Sequence, residues 1–278
     1  MRVFGIDFTS TPSARHPITC ALCRVEEERL YVDAMCALES LECFHNVLAS
    51  DGPWIAGMDF PFGLPRDFLQ PVNWSPDWET YVASAAAMAR SEFRDLARSV
   101  AAERAVGQRY SLRNADRVAG AQSPMNVTSP AVGLMFHAGA PSLLASGVTV
   151  LPMKAGDPDR TVVEGYPKLV AQALIGQRAY KDESSLRDDR SCFQARLDLL
   201  AAMRGETLLE HYGLNLIGLD AFVDELVVDE SGDGVDALMC AVQAAWAWTR
   251  RDTGFGIPSD VDSSEGWIAD PATALAIG

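Results

Sequence analysis

Gly5-Ile6-Asp7-Phe8 and Gly57-Met58-Asp59-Phe60 are two versions of one short phrase, and each closes a run of apolar residues. Runs of this length bounded by turn-forming residues read as strands, here residues 2–7 and 54–59. Residues 18–25 and 29–36 read as two more strands, joined into an antiparallel hairpin by Glu26-Glu27-Glu28. Residues 38–50 carry Leu41, Phe44, Val47 and Leu48 at helical spacing, and Asp51-Gly52-Pro53 stops that helix. A helix joining two strands usually makes them parallel through a right-handed crossover. That topology sets the fourth strand beside the first and brings both aspartates to one end of the sheet.

The remaining chain extends this α/β pattern. Residues 66–147 are turn-rich and helical, with an Ala/Arg-rich stretch over 78–107 and a short helix near 132–144. They read as a helical insertion, or cap, within one domain spanning 1–278. Residues 148–151 and 161–164 read as strands. Residues 167–176, 192–205, 221–228 and 235–250 read as helices, the last strongly apolar and opened by the Ser231-Gly232-Asp233-Gly234 break.

Composition bounds the class. In 278 residues, 48% are hydrophobic and 22% charged, which supports a packed core and excludes disorder as the dominant state. Asp7 interrupts the N-terminal run before a secretory apolar segment fits, and no run of eighteen apolar residues follows. A cytoplasmic protein with no membrane partner is expected, with its six cysteines as reduced thiols. The formal net charge of −15 is a poor overall match to a phosphate polyanion. Charge acts locally, however, and residues 90–117 hold seven arginines against four acids.

Adjacent strands lie about 4.8 Å apart. Two carboxylates about 4 Å apart repel by roughly 4 kcal/mol at an effective dielectric of about 20. Either one of Asp7 and Asp59 holds a proton, or a cation sits between them. A hard divalent ion suits such oxygen ligands. The structural alternative is two aspartates capping the turns that follow. Glu164 ends a third strand, in Thr161-Val162-Val163-Glu164-Gly165-Tyr166-Pro167, and Pro167 suits the first turn of a helix. Asp233 reads as a helix N-cap. Asp236 is different, because it precedes a face of Ala237, Leu238, Cys240, Ala241, Ala244 and Ala245. An acid at the edge of so apolar a helix needs a partner.

These pieces, Gly5-Ile6-Asp7, Gly57-Met58-Asp59-Phe60-Pro61, Glu164-Gly165-Tyr166-Pro167 and Asp233 through Ala237, together resemble the domain-of-unknown-function family 429, regarded as RNase H-like nucleases. The resemblance covers most of the chain. It implies an RNase H-like α/β fold, a mixed sheet flanked by helices. It also implies that Asp7, Asp59 and Asp236 act as metal-binding carboxylates, with Asp233 and Glu164 as helpers. The arginine-rich insertion departs from the minimal fold.

The resulting expectation is hydrolysis of a phosphodiester in a nucleic acid or nucleotide by one or two Mg²⁺ or Mn²⁺ ions. Asp7, Asp59, Glu164 and Asp236 are the catalytic candidates, and Asp233 joins Asp7, Asp59 and Asp236 as a candidate ligand. Arg90, Arg94 and Arg98 recur at helical spacing, as do Arg109, Arg113 and Arg117. They read either as a solvated face or as a cap whose Arg109, Arg113 and Arg117 bind substrate phosphate. Cys20-Ala21-Leu22-Cys23 has CxxC spacing, but residues three apart on a strand point to opposite faces. The four histidines make no zinc-type pair. Two other readings stay open. Asp7-Phe8-Thr9-Ser10-Thr11 resembles the first phosphate loop of actin-like sugar kinases, which implies an ATP-dependent phosphotransferase. A non-catalytic RNase H-like binding module is the other.

Overall fold

A computed structural model describes residues 1–181 and 189–275. Strand β1 (Arg2–Asp7) pairs antiparallel with β2 (Ile18–Glu26), and β2 pairs antiparallel with β3 (Arg29–Leu38). Helix α1 (Leu41–Leu48) starts at Ser40, whose hydroxyl accepts the Cys43 N–H at 3.2 Å, and it buries Phe44 and Leu48. Strand β4 (Trp54–Asp59) then returns parallel to β1. The register sets Gly5 opposite Gly57 and Asp7 opposite Asp59, so the adjacency expected from the crossover holds.

Five helices lie between β4 and the next strand: α2 (Arg66–Leu69), α3 (Trp78–Ala86), α4 (Arg90–Ala102), α5 (Asn114–Ala119) and α6 (Val132–Ser146). The stretch expected to be helical over 78–107 is thus two helices. The second starts where the Glu92 carboxylate accepts the Ala89 N–H at 2.6 Å. Strands β5 (Val148–Val150) and β6 (Asp157–Glu164) extend the parallel half of the sheet. Beyond them come α7 (Pro167–Ile175), α8 (Asp189–Met203), α9 (Glu206–Tyr212), β7 (Asn215–Ile217), α10 (Val223–Val228), α11 (Asp233–Thr249) and α12 (Pro271–Ala274). The strand order is β5-β6-β4-β1-β2-β3-β7. This mixed seven-stranded α/β sheet flanked by helices is consistent with an RNase H-like arrangement. Among the described residues, no helix is long and apolar enough to cross a membrane.

The sheet separates two apolar cores, and strand parity decides which side chain enters which. Side chains alternate faces along a strand. Val3 and Ile55 enter the core under α11, while Phe4, Ile6, Ala56 and Met58 enter the core under α1, α3, α4 and α6. Asp7 shares the parity of Val3, and Asp59 that of Ile55, so both point toward α11. On β6, Val163 belongs to the α11 side and Val162 to the other. Glu164 therefore leaves the sheet on the opposite face from the two aspartates.

Helix α11 lies directly on β1 and β4, and is buried from Gly234 through Ala247. A Cβ at Gly5 would sit 1.9 Å from the Ala237 carbonyl oxygen, and one at Gly57 would sit 2.3 Å from that of Cys240. The obstacle in each case is backbone, which cannot rotate away. Substituting Gly57→Ala should therefore push α11 off the sheet and lower stability by about 1–3 kcal/mol, the usual cost of overpacking a core. A denaturant melt measures this. An unchanged melt would mean that α11 can shift freely.

Candidate metal centre

Three carboxylates converge where β1 and β4 end beneath the first turn of α11. Asp7, Asp59 and Asp236 each offer an oxygen, and these atoms all lie within 4.8 Å of one another. Asp7 and Asp59 are half-buried, and Asp236 is 3% exposed. Burial raises the Asp59 pKa to about 7, with the Asp236 charge adding to the rise and Lys181 opposing it. Asp7 is raised well above the ordinary carboxylate value, first by burial and then by Asp236, with smaller contributions from Asp59 and Asp233. Burial also raises Asp236, against the pull of Lys181 and of the Tyr180 hydroxyl. Three oxygen donors that burial holds back from ionisation, with Lys181 opposing only in part, form a group that could hold a metal ion.

Two side chains attend this trio that sequence reasoning missed. The Tyr180 hydroxyl donates to Asp236 Oδ1 at 2.6 Å. The Lys181 ammonium forms an ion pair with Asp236 Oδ2 and stands 3.9 Å from Asp233. Burial works against the Lys181 charge, yet Asp236, Asp7 and Asp59 outweigh it and hold its pKa above the ordinary lysine value. Both residues follow α7 in irregular chain, where no periodicity marks a residue as facing anything.

Asp233 lies beside the trio. It is the first residue of α11, with Gly232 at the N-cap position, and its charge reaches Lys181. A carboxylate there also suits the positive end of the helix. Glu164 makes a different cluster on the other face of the sheet. It accepts the Phe62 N–H at 3.0 Å and pairs with Arg113, Oε1 at 2.5 Å and Oε2 at 2.8 Å.

Arg113 is not the exposed, phosphate-facing arginine that the spacing suggests. It is 1% exposed, and each of its three nitrogens is engaged, by Asp116, Glu164 and the Glu265 carbonyl. Its pKa stays above the ordinary value because the two carboxylates overcome the cost of burial. Arg109 and Arg117 are exposed, as is Arg98 on α4, while Arg90 donates to the Ser10 hydroxyl at 2.9 Å. The repeat at four-residue spacing fails because residues 103–113 are turns and extended chain, so Arg109 and Arg113 share no helix.

A cleft of about 550 Å³ opens beside the trio. Asp59, Asp236, Tyr180 and Lys181 line it, with Lys168 and Arg178 contributing further positive charge. Arg178 is itself paired with Asp198 at 2.5 Å.

Two outcomes follow from these electrostatics. Arg113→Ala should cost about 3–5 kcal/mol in a denaturant melt, since it strands two buried carboxylates without a cation. A loss below about 1 kcal/mol would mean that Asp116 and Glu164 are solvated. The second concerns pH. The Asp59 pKa rises from the ordinary 3.8 to about 7 on folding, so the native state binds more protons than the unfolded chain across that window. The proton's contribution to stability is present at the acid end and lost as pH rises through about 7. A metal ion bound by the trio would compete for the same oxygens, so its effect would have the opposite sign. The rise in melting temperature on adding Mn²⁺ should be small at pH 5, grow toward pH 8, and disappear in Asp59→Asn. A rise of equal size at both pH values would assign the effect to the acidic surface instead.

The family model described as "Protein of unknown function (DUF429)" matches residues 5–263. Comparison with curated proteins and with solved structures finds no match. With both Gly-x-Asp phrases, the Glu164 motif and the start of α11 inside the matched span, the chain belongs to the DUF429 family.

Proposed function

We propose that this protein is a metal-dependent hydrolase of phosphodiester bonds, with Asp7, Asp59 and Asp236 holding one or two Mg²⁺ or Mn²⁺ ions. The observation that carries this reading is the convergence of three carboxylate oxygens within 4.8 Å at the mouth of a cleft. A divalent ion bound there would supply a water of lowered pKa and would stabilise charge on the phosphoryl oxygens.

The chain's own residues divide the remaining roles. Asp7 and Asp59 project side by side from paired strands, which fixes their spacing through the backbone ladder. Asp236 closes the trio from above, and Tyr180 orients its carboxylate by occupying Oδ1. Outer hydrogen bonds of this kind fix the direction of a ligand oxygen. Asp233 adds negative charge at the helix start. Glu164 and Arg113 form the wall of the cleft next to Asp59 and keep it rigid. The substrate, a nucleic acid or a nucleotide, occupies the cleft, where Lys168 is available to its phosphates; exposed Arg109 and Arg117 do not line the cleft and serve only a substrate that extends beyond it.

The phosphate-loop reading of Asp7-Phe8-Thr9-Ser10-Thr11 is less favoured, because the Ser10 hydroxyl accepts from Arg90 of α4 and so ties this loop to the insertion.

The test is hydrolysis of an activated phosphodiester, bis(p-nitrophenyl) phosphate, and of labelled oligonucleotides, with and without Mn²⁺. Activity should require the metal and should fall by at least about a hundredfold in Asp7→Asn, since even outer-shell changes cost up to that factor. Metal-independent turnover, or full activity in the mutant, would remove the trio from the chemistry.

A further inference from the structure

Lys181 is the one cation, among the described residues, whose ion pair reaches the aspartate trio. Its ammonium lies against Asp236 Oδ2, the oxygen that Tyr180 leaves open, since the Tyr180 hydroxyl takes Oδ1. A divalent ion shared by the trio needs an oxygen from Asp236, and Oδ2 is the one that carries no hydroxyl. Lysine and metal ion therefore claim the same atom. Two cations cannot share it without strong repulsion in so buried a setting.

The lysine has somewhere else to go. Its side chain is 22% exposed and stands in the wall of the 550 Å³ cleft, the space that the proposed function assigns to substrate. A lysine is a point charge on a flexible four-carbon stem, so its ammonium can move several ångströms with no backbone change. Arg113, a fully buried cation near the cleft, has no such freedom, because Asp116, Glu164 and the Glu265 carbonyl hold every nitrogen. Tyr180 keeps Asp236 oriented while the lysine leaves.

We propose that Lys181 is a displaceable counter-ion, which neutralises Asp236 in the metal-free protein, yields Oδ2 to the divalent ion, and then turns across the cleft to bind the substrate's phosphate. Metal and substrate binding are thereby linked through one side chain. With the lysine on Asp236 the cleft has less positive charge to offer a phosphate. With metal bound, the freed ammonium lies beside it. This inference rests on the proposed metal site.

The experiment separates the two. Mn²⁺ binding is measured by titration calorimetry on the full chain, for the wild type, Lys181→Met and Lys181→Arg. Activity toward bis(p-nitrophenyl) phosphate is then measured at saturating Mn²⁺. Removing the competing cation in Lys181→Met should tighten Mn²⁺ by at least about tenfold, while kcat falls by about a hundredfold for want of the phosphate's counter-charge. Lys181→Arg keeps the charge and should bind Mn²⁺ within a few-fold of the wild type. Tighter metal with weaker catalysis is a pairing that a merely structural lysine would not produce, since loss of structure weakens both. Lys181→Gln, which keeps a hydrogen-bond donor for Asp236 without the charge, repeats the comparison if Lys181→Met does not fold. Mn²⁺ affinity unchanged or weakened in the neutral variants overturns the proposal. A wild type that binds no Mn²⁺ brings down the metal site itself, and Lys181 with it as a permanent ion-pair partner. A wild type that binds Mn²⁺ while the neutral variants bind no tighter leaves the site standing and sinks only the role of the lysine.

Discussion

The backbone of α11 rests on two glycines. At Gly5 and Gly57 the strands present no side chain, and the carbonyls of Ala237 and Cys240 occupy the volume where a Cβ would be. Everything at the candidate centre follows from that approach. Side chains on the helix face are small, with Ala237, Ala241 and Ala244 against the sheet, so the helix axis is drawn in close. The next residues on the same strand faces, two positions on, are Asp7 and Asp59. One residue before Ala237 on the helix is Asp236. A larger residue at either glycine would lift the helix and separate the three acids. The two ends of each Gly-x-Asp phrase thus act together, the glycine admitting the helix and the aspartate meeting what the helix brings.

Close approach has an electrostatic consequence. Burial and mutual repulsion both favour the protonated carboxyl, and together they drive Asp59 to about 7 and Asp7 well above its ordinary value. A core that gathers acids in this way is less stable than one built of apolar residues of the same size. It persists because packing under α11 is extensive on either side. Val235, Leu238, Met239 and Val242 are fully buried and share a core with Leu199, Leu200 and Tyr212. The apolar helix holds the acidic trio together against its own charge.

Much of this was legible in the chain. The repeated Gly-x-Asp phrase, with the hairpin and helix that join the two strands, indicated their adjacency and set both aspartates at one end of the sheet. Asp236 stood out because an acid bordering an alanine-rich helix face must be compensated. Other features were hidden for identifiable reasons. Strand β7 has three residues and exists through pairing with β3, which is remote in sequence. Lys181 and Tyr180 sit in irregular chain, where no period predicts direction. The side taken by Glu164 was open to a parity argument, since Val162 and Val163 enter different cores, but which face held the aspartates depended on where α11 packed. Arg113 misleads most, because four-residue spacing implies a common helix face only where the chain is helical throughout.

The structure places two charge clusters within one cleft wall and gives each a different cation. Glu164 and Asp116 share Arg113, whose fixed fork satisfies both carboxylates at once. A guanidinium cannot lose its proton, and its planar set of donors resists reorientation once filled. That cluster is closed, and it fastens α5 of the insertion to the end of β6. Asp7, Asp59 and Asp236 have a lysine instead, in contact with one acid and balancing only part of the charge. An ammonium with one strong partner and a flexible stem is held less firmly than a guanidinium with every nitrogen engaged. Burial raises the pKa values of all three aspartates, and the lysine offsets that rise only in part. The difference between the clusters lies less in their acids than in the geometry of the cation each was given. An arginine completes a structural joint, whereas a lysine leaves the charge of the trio only partly balanced.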